Sequence, residues 1–274
     1  MRNVVLFSIL LLPACGAFGT SQRTAEMTAC GRPEHSMDVA ISICTQLLED
    51  KTLSREERVF VYFSRARAAM NKQDMAGALR DLDESIKLDP SQAVSFASRG
   101  IVRGTMGNLE SAISDFSRAI ELDPADWVSF QNRGKAYSDS GDQKRAIEDY
   151  SRVIEMGSDG PIPRNGRCWS LALLGRDLEA AKKDCEEAVR LAPKDGNNLN
   201  SLAFVRFRSG DYAGAVEDYT KSLSLNPDSG SSYYMRGRAK ARINDPTAPD
   251  DIAKGIGYEA GVAKRYAGHG IELM

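Results

Sequence analysis

Apolar and polar positions recur along most of this chain with the period of an amphipathic helix, most clearly between Ala93 and Asp126. There Ala112, Ile113, Phe116, Ala119 and Ile120 stand at i, i+1, i+4, i+7 and i+8, one stripe of a helix. The pattern predicts helices over Phe96–Met106 and Leu109–Glu121, joined at Gly107-Asn108 and closed by Leu122-Asp123-Pro124. Gly107 can take positive φ and end the first helix, while Pro124 cannot continue the second. Two helices this short cannot bury both their faces. The pair needs a copy of itself on each side.

The copies are present. Ala78, Ala112 and Ala146 are 34 residues apart, as are Pro90 and Pro124, Gly100 and Gly134, and Gly107 and Gly141. Ala181 and Ala215, and Pro193 and Pro227, repeat the spacing. The step from Ala146 to Ala181 is 35, which predicts one extra residue at the Gly175-Arg176-Asp177 turn.

This period, with two helices per unit, resembles the tetratricopeptide repeat. In that family's positions 1–34, the small residues at position 8 are Ala66, Gly100, Gly134, Ala203 and Gly237. Position 20 is Ala78, Ala112, Ala146, Ala181 and Ala215, and position 24 is Leu82, Phe116, Tyr150, Cys185 and Tyr219. Small residues at 8 and 20 let two helix backbones approach, and the large residue at 24 fills the space beside them. The resemblance implies an all-α, right-handed α-solenoid of antiparallel helix pairs, about six to seven repeats with degenerate ends.

The expected organisation is a signal peptide over 1–20, a degenerate repeat and connection over 21–58, five units over 59–229, and an atypical repeat with capping helices over 230–274. Arg2 and the apolar run Val4–Leu12 fit a targeting segment too short to span a bilayer. Leu12-Pro13-Ala14-Cys15 resembles a bacterial lipobox with Cys15 as acceptor, though Pro13 departs from its usual small or β-branched residue. The competing expectation is ordinary cleavage after Gly19. Either way the chain is expected to be exported to the periplasm, with an outer-membrane lipid anchor if Cys15 is modified.

In the degenerate first repeat, Val39-Ala40-Ile41 and Cys44 fit positions 19, 20, 21 and 24, and Ser54-Arg55-Glu56-Glu57 can cap the next helix. The last unit is expected to begin with a helix over Ser232–Arg242 and to leave the repeat at Asp245-Pro246-Thr247-Ala248-Pro249. Short helices over Asp250–Gly255 and Gly261–Ala267 then resemble the C-terminal caps of exported proteobacterial repeat proteins.

On the repeat register, Cys44 and Cys185 share position 24, with Cys30 and Cys168 upstream on their own first helices. Two disulfides, Cys30–Cys44 and Cys168–Cys185, are therefore expected in an oxidising compartment. The alternative is a set of buried thiols. There is no C-x-x-C, and the only histidines, His35 and His269, have no Cys or His at ligand spacing, so no metal or other cofactor is expected.

Charge enters in the same period. Position 23 is Asp81, Asp115, Asp149, Asp184 and Asp218; position 7 is Arg65, Arg99, Arg133, Arg167 and Arg236, with Leu202 the exception. Ion pairs between helices that fix the stacking register are expected from this pattern.

In the family the first helices line a concave surface that positions 2, 5, 9 and 12 tend to face. Position 9 reads Arg67, Ile101, Lys135, Trp169, Phe204 and Arg238, with Phe63, Met70, Asn165, Asn200, Phe207 and Tyr234 around it. Such residues suit an extended or helical partner peptide with apolar anchors and some acidic character. Ordinary packing between adjacent first helices is the alternative for part of this row. The family's Lys/Asn/Arg clamp for a C-terminal carboxylate is not reproduced.

The net charge of −2 argues against a nucleic-acid partner. No G-x-S-x-G, Walker loop, H-E-x-x-H or paired carboxylates stand in a catalytic context, so no enzyme is expected. Activity hidden in Thr20–Lys51 or Asp245–Met274 is the weakest reading, because those stretches are short and read as caps. The resemblance implies a protein–protein interaction scaffold of the cell envelope. Its alternative is a constitutive accessory subunit of an outer-membrane or cell-wall assembly machine.

Overall fold

The computed structural model describes residues 21–31 and 36–268. The expected signal segment, the lipobox at Cys15 and both histidines lie outside the described residues. Among the described residues all regular structure is helical, and the chain forms two compact units, Met1–Pro90 and Ser91–Met274.

The first unit is two helix pairs: α1 (Ser21–Gly31) with α2 (Met37–Glu49), and α3 (Arg55–Asn71) with α4 (Met75–Leu88). Met27, Cys30, Cys44, Leu47, Leu53 and Val61 form its core. Cys30 and Cys44 are disulfide-bonded with Cα atoms 5.1 Å apart, pinning α1 to α2. α3 starts with the expected capping box: the Glu57 amide donates to Ser54 Oγ at 3.1 Å and the Ser54 amide to Glu57 Oε2 at 2.7 Å.

The second unit continues the pairing through α5 (Ala93–Thr105) and α6 (Leu109–Leu122), α7 (Trp127–Asp139) and α8 (Gln143–Glu155), and α9 (Pro161–Leu174) and α10 (Leu178–Leu191). It ends with α11 (Gly196–Arg208) and α12 (Tyr212–Leu225), α13 (Gly230–Arg242) and α14 (Ala248–Tyr258), and the single helix α15 (Val262–Ala267). Cys168 and Cys185 join α9 to α10, Cα atoms 5.6 Å apart.

From α3 onward, the turn inside each pair contains a left-handed residue. Gly107 supplies it at φ 82°, and Gln73 (φ 65°) and Asn244 (φ 58°) adopt the same region where glycine is lacking. At the 35-residue step, α9 runs six residues past Cys168 where α7 runs five past Gly134, and the following turn has two left-handed residues, Gly175 and Asp177. Close approach rests on the small residues. A Cβ on Gly100 would stand 2.8 Å from the Phe116 ring, and one on Gly166 would stand 2.3 Å from the Tyr150 ring.

The charge ladder is formed within each pair. Arg65 holds Asp81 by two bonds of 2.8 and 2.7 Å, Arg99 holds Asp115 at 3.0 and 2.7 Å, and Arg167 holds Asp184 at 2.6 and 2.8 Å. The third arginine nitrogen turns to the pair before. Arg65 Nη1 donates to Thr45 at 3.0 Å, Arg167 Nη1 to Ser151 at 3.2 Å and Arg236 Nη1 to Thr220 at 3.2 Å. A planar donor fork with fixed geometry suits this three-way tie, since it sets both the pair and its neighbour.

Where Leu202 replaces the arginine, the tie is weaker. Asp218 is approached by Arg206 Nη1 at 3.2 Å without hydrogen-bond geometry and by Lys221 at 3.5 Å.

The last pair corrects an expectation. The stretch beginning at Ala248 does not leave the repeat: α14 packs on α13 as a second helix, and Arg236 bonds Asp251 twice at 2.7 Å. Lys240 adds a third contact to Asp251 at 2.9 Å. Asp251 follows Arg236 by 15 residues where the other pairs use 16 or 17, so a shortened turn hides the match.

Candidate partner-binding face

In the second unit each first helix touches the next: α5 meets α7, α7 meets α9, α9 meets α11 and α11 meets α13. Successive second helices do not meet in this way among the described residues. The first helices are therefore the closely spaced side of the stack, the inner surface of a repeat array.

The row expected on this side divides into an open and a closed part. Ile101 on α5 is half-buried, and Lys135 on α7 is exposed and bonded to Asp139 at 2.6 Å. Asn165 and Trp169 on α9 are half-buried, and Asn165 Oδ1 has no hydrogen-bond partner. Three further apolar positions belong here. Val94 is 47% exposed and Ile162 61%, with half-buried Val128 between them in sequence, all at position 2 and 34 residues apart. Their spacing carried that signal, because three aliphatic residues recur on a side the core does not use.

The C-terminal part of the row is not open. Phe204, Phe207, Tyr234 and Arg238, expected to line a groove, are buried. Phe204 lies under Trp169, ring centroids 5.0 Å apart, and Phe207 packs edge-on against Tyr212 at 5.5 Å. Tyr266 of α15 covers the rest, 5.6 Å from the Phe204 ring and stacked on Tyr234 at 6.0 Å. Burial pushes the Tyr266 phenol up to about 12. Asn200 is also engaged, its amide donating to Ser232 Oγ at 2.6 Å within a serine network that includes Ser222 and Ser229.

In the first unit, Phe63 is half-buried, and Arg67 is not free to meet a partner. Its guanidinium donates to the Gly31 carbonyl and so caps the end of α1, while burial lowers its pKa. Both cysteine pairs are where their registration placed them, each wholly inside. No cluster of three or more metal-ligating side chains occurs among the described residues, and no described helix is long and apolar enough to cross a membrane.

Helix pairs stacked in this way form a repeat scaffold. The comparisons agree. Models of the tetratricopeptide repeat match residues 95–126, 131–196 and 197–229. The chain carries tetratricopeptide repeats over these residues.

A 71-residue stretch is 34% identical to Protein SGT1 homolog of Bos taurus, covering 26% of this chain and about a fifth (21%) of that relative's length. Among solved structures, PilW, described as a widely conserved type IV pilus biogenesis factor, matches 76% of this chain and 94% of its own at 14% identity, with a TM-score of 0.62. PilF of Pseudomonas aeruginosa matches 78% and 94% at 16% identity with a TM-score of 0.59. YrrB, described as a TPR protein with an unusual peptide-binding site, matches 68% and 97% at 16% identity with a TM-score of 0.53. At these identities the likeness is one of fold.

Proposed function

We propose that this protein is an exported, non-enzymatic scaffold of the bacterial cell envelope that holds a segment of a partner protein against the inner face of α5, α7 and α9. The observation that carries this reading is the row of Val94, Ile101, Val128, Ile162 and Trp169. It is apolar and continues from one first helix to the next, and its outermost member, Ile162, is 61% exposed. An aliphatic and aromatic strip of this kind suits the apolar anchors of a peptide. Export is supported by the two buried cysteine pairs at bonding distance, which an oxidising compartment would maintain, and by the apolar N-terminal run.

The test is retention of the native partner from envelope fractions by purified variants. Ile162→Glu on the inner face should weaken retention at least tenfold, the loss of one anchor. Arg118→Glu on α6 should leave it intact. Equal retention by both variants would remove the inner face from the function.

A further inference from the structure

α15 has six residues, below the length at which a helix holds itself together. Only Val262 and Tyr266 are buried; Ala263 is half-buried, and Lys264, Arg265 and Ala267 are exposed. Its hold on the core is therefore Val262 and Tyr266 at i and i+4, with Ala263 packed beside them, and Arg265 adds one exposed ion pair to Glu259 at 2.9 Å.

Where those side chains go matters more. Tyr266 stacks on Tyr234 with rings inclined by 13° and leans on Phe204 at 49°, and the Ser231 hydroxyl lies beside its phenol. Phe204, Tyr234 and Ser231 stand at positions 9, 5 and 2 of their units, the same positions that form the open row on α5, α7 and α9. α15 thus reaches past the last pair, over α13 to α11, and sits in the C-terminal continuation of the binding face. Trp169, 5.0 Å from Phe204, belongs to both stretches.

We propose that α15 is a displaceable occupant of this face, and that the partner supplies a helix with an aliphatic residue and an aromatic residue four positions later, which takes its place in the cradle of Phe204 and Tyr234. This rests on the inner face being where the partner binds, and it names the partner's chemistry there. The seated segment argues for a helix over an extended strand. The cradle accepts two side chains one helical turn apart, with the outward face of the occupant left charged by Lys264 and Arg265.

The experiment uses the full chain and, as probe, a dye-labelled synthetic peptide of residues 258–268. In Tyr266→Ala the cradle is vacated in cis. The peptide should bind this variant at least tenfold more tightly than it binds the wild type, and the same peptide carrying the tyrosine-to-alanine change should bind neither. Equal binding to both proteins, or none to either, overturns the proposal. So does a wild-type dimer that the Tyr266→Ala change abolishes, which would assign the cradle to a second copy. Hydrogen exchange on the wild type keeps the idea testable if the variant fails to fold. α15 amides should exchange at least a hundredfold faster than those of α13, and exchange at a common rate contradicts displacement. The peptide assay needs no partner, so its failure leaves the Ile162→Glu result to judge the inner face independently.

Discussion

Arg133 holds the Asp149 carboxylate with two hydrogen bonds of 2.8 Å, and with its remaining Nη1 it reaches Ser117 Oγ of the preceding pair at 3.0 Å. One guanidinium therefore ties α6, α7 and α8 together. Removing it strands a buried carboxylate, so Arg133→Leu should cost about 3 kcal/mol in urea denaturation. Arg133→Leu with Asp149→Leu should cost less than the single change, because no unpaired charge is left inside. An unchanged midpoint in the single variant would contradict this role.

Asp218 and Asp251 occupy equivalent places in adjacent pairs, yet their carboxyls shift in opposite directions. Burial pushes Asp218 up, with Arg206 and Lys221 opposing it. Burial also pushes on Asp251, but hydrogen bonds from Arg236 and Lys240 outweigh it and hold that carboxyl below its ordinary value of 3.8. The stabilisation linked to Asp251 is present above the ordinary value and is lost as pH falls through the depressed one. For Asp218 it is present at low pH and lost as pH rises through the raised one. Asp251→Asn should therefore destabilise at pH 7, with the gap closing on acidification. Asp218→Asn should be at least as stable as wild type at pH 7 and lose that advantage in acid. Equal losses in both variants at pH 7 would contradict the assignment.

Two disulfides each close a short loop, their cysteines 14 and 17 positions apart. Cys168→Ser should cost about 3 kcal/mol, and Cys30→Ser a similar amount. Intact mass of the protein should rise by four hydrogen atoms on reduction under denaturing conditions. A thiol titre that finds all four cysteines free before reduction would refute the pairing.

Gly166 lies against the buried Tyr150 ring, whose nearest atom an added Cβ would meet at 2.3 Å. Gly166→Ala should therefore destabilise by about 2 kcal/mol despite its higher helix propensity, as overpacking does. Thermal denaturation checks this, and a stabilised variant would show that the ring yields.

The repeating parts of this fold were legible because one residue type recurs in one place. The Arg and Asp ladder, the small residues at Gly100 and Gly134, and both cysteine pairs all follow from register. Legibility failed where the period slipped or where a partner lay far away. A shortened turn before α14 moved Asp251 out of register with Arg236. The engagement of Arg67 and Asn200 is not legible locally, because their partners, the Gly31 carbonyl and Ser232, lie 36 and 32 residues away. The sequence leaves Phe204 and Tyr234 between groove and inter-helix packing, because nothing in their own helices shows that Tyr266 covers them. Val94, Val128 and Ile162 could have been found by asking which apolar positions the core leaves unused.

The most direct test of the central claim is site-specific photo-cross-linking in the envelope, with the cross-linker placed in turn at Ile162 and Lys135 on the inner face and at Arg118 and Arg152 on second helices. A single partner band from Ile162 and Lys135, absent from Arg118 and Arg152, is the expected result. The same band from all four sites, or bands only from the second helices, would contradict the inner face as the place where this scaffold meets its partner.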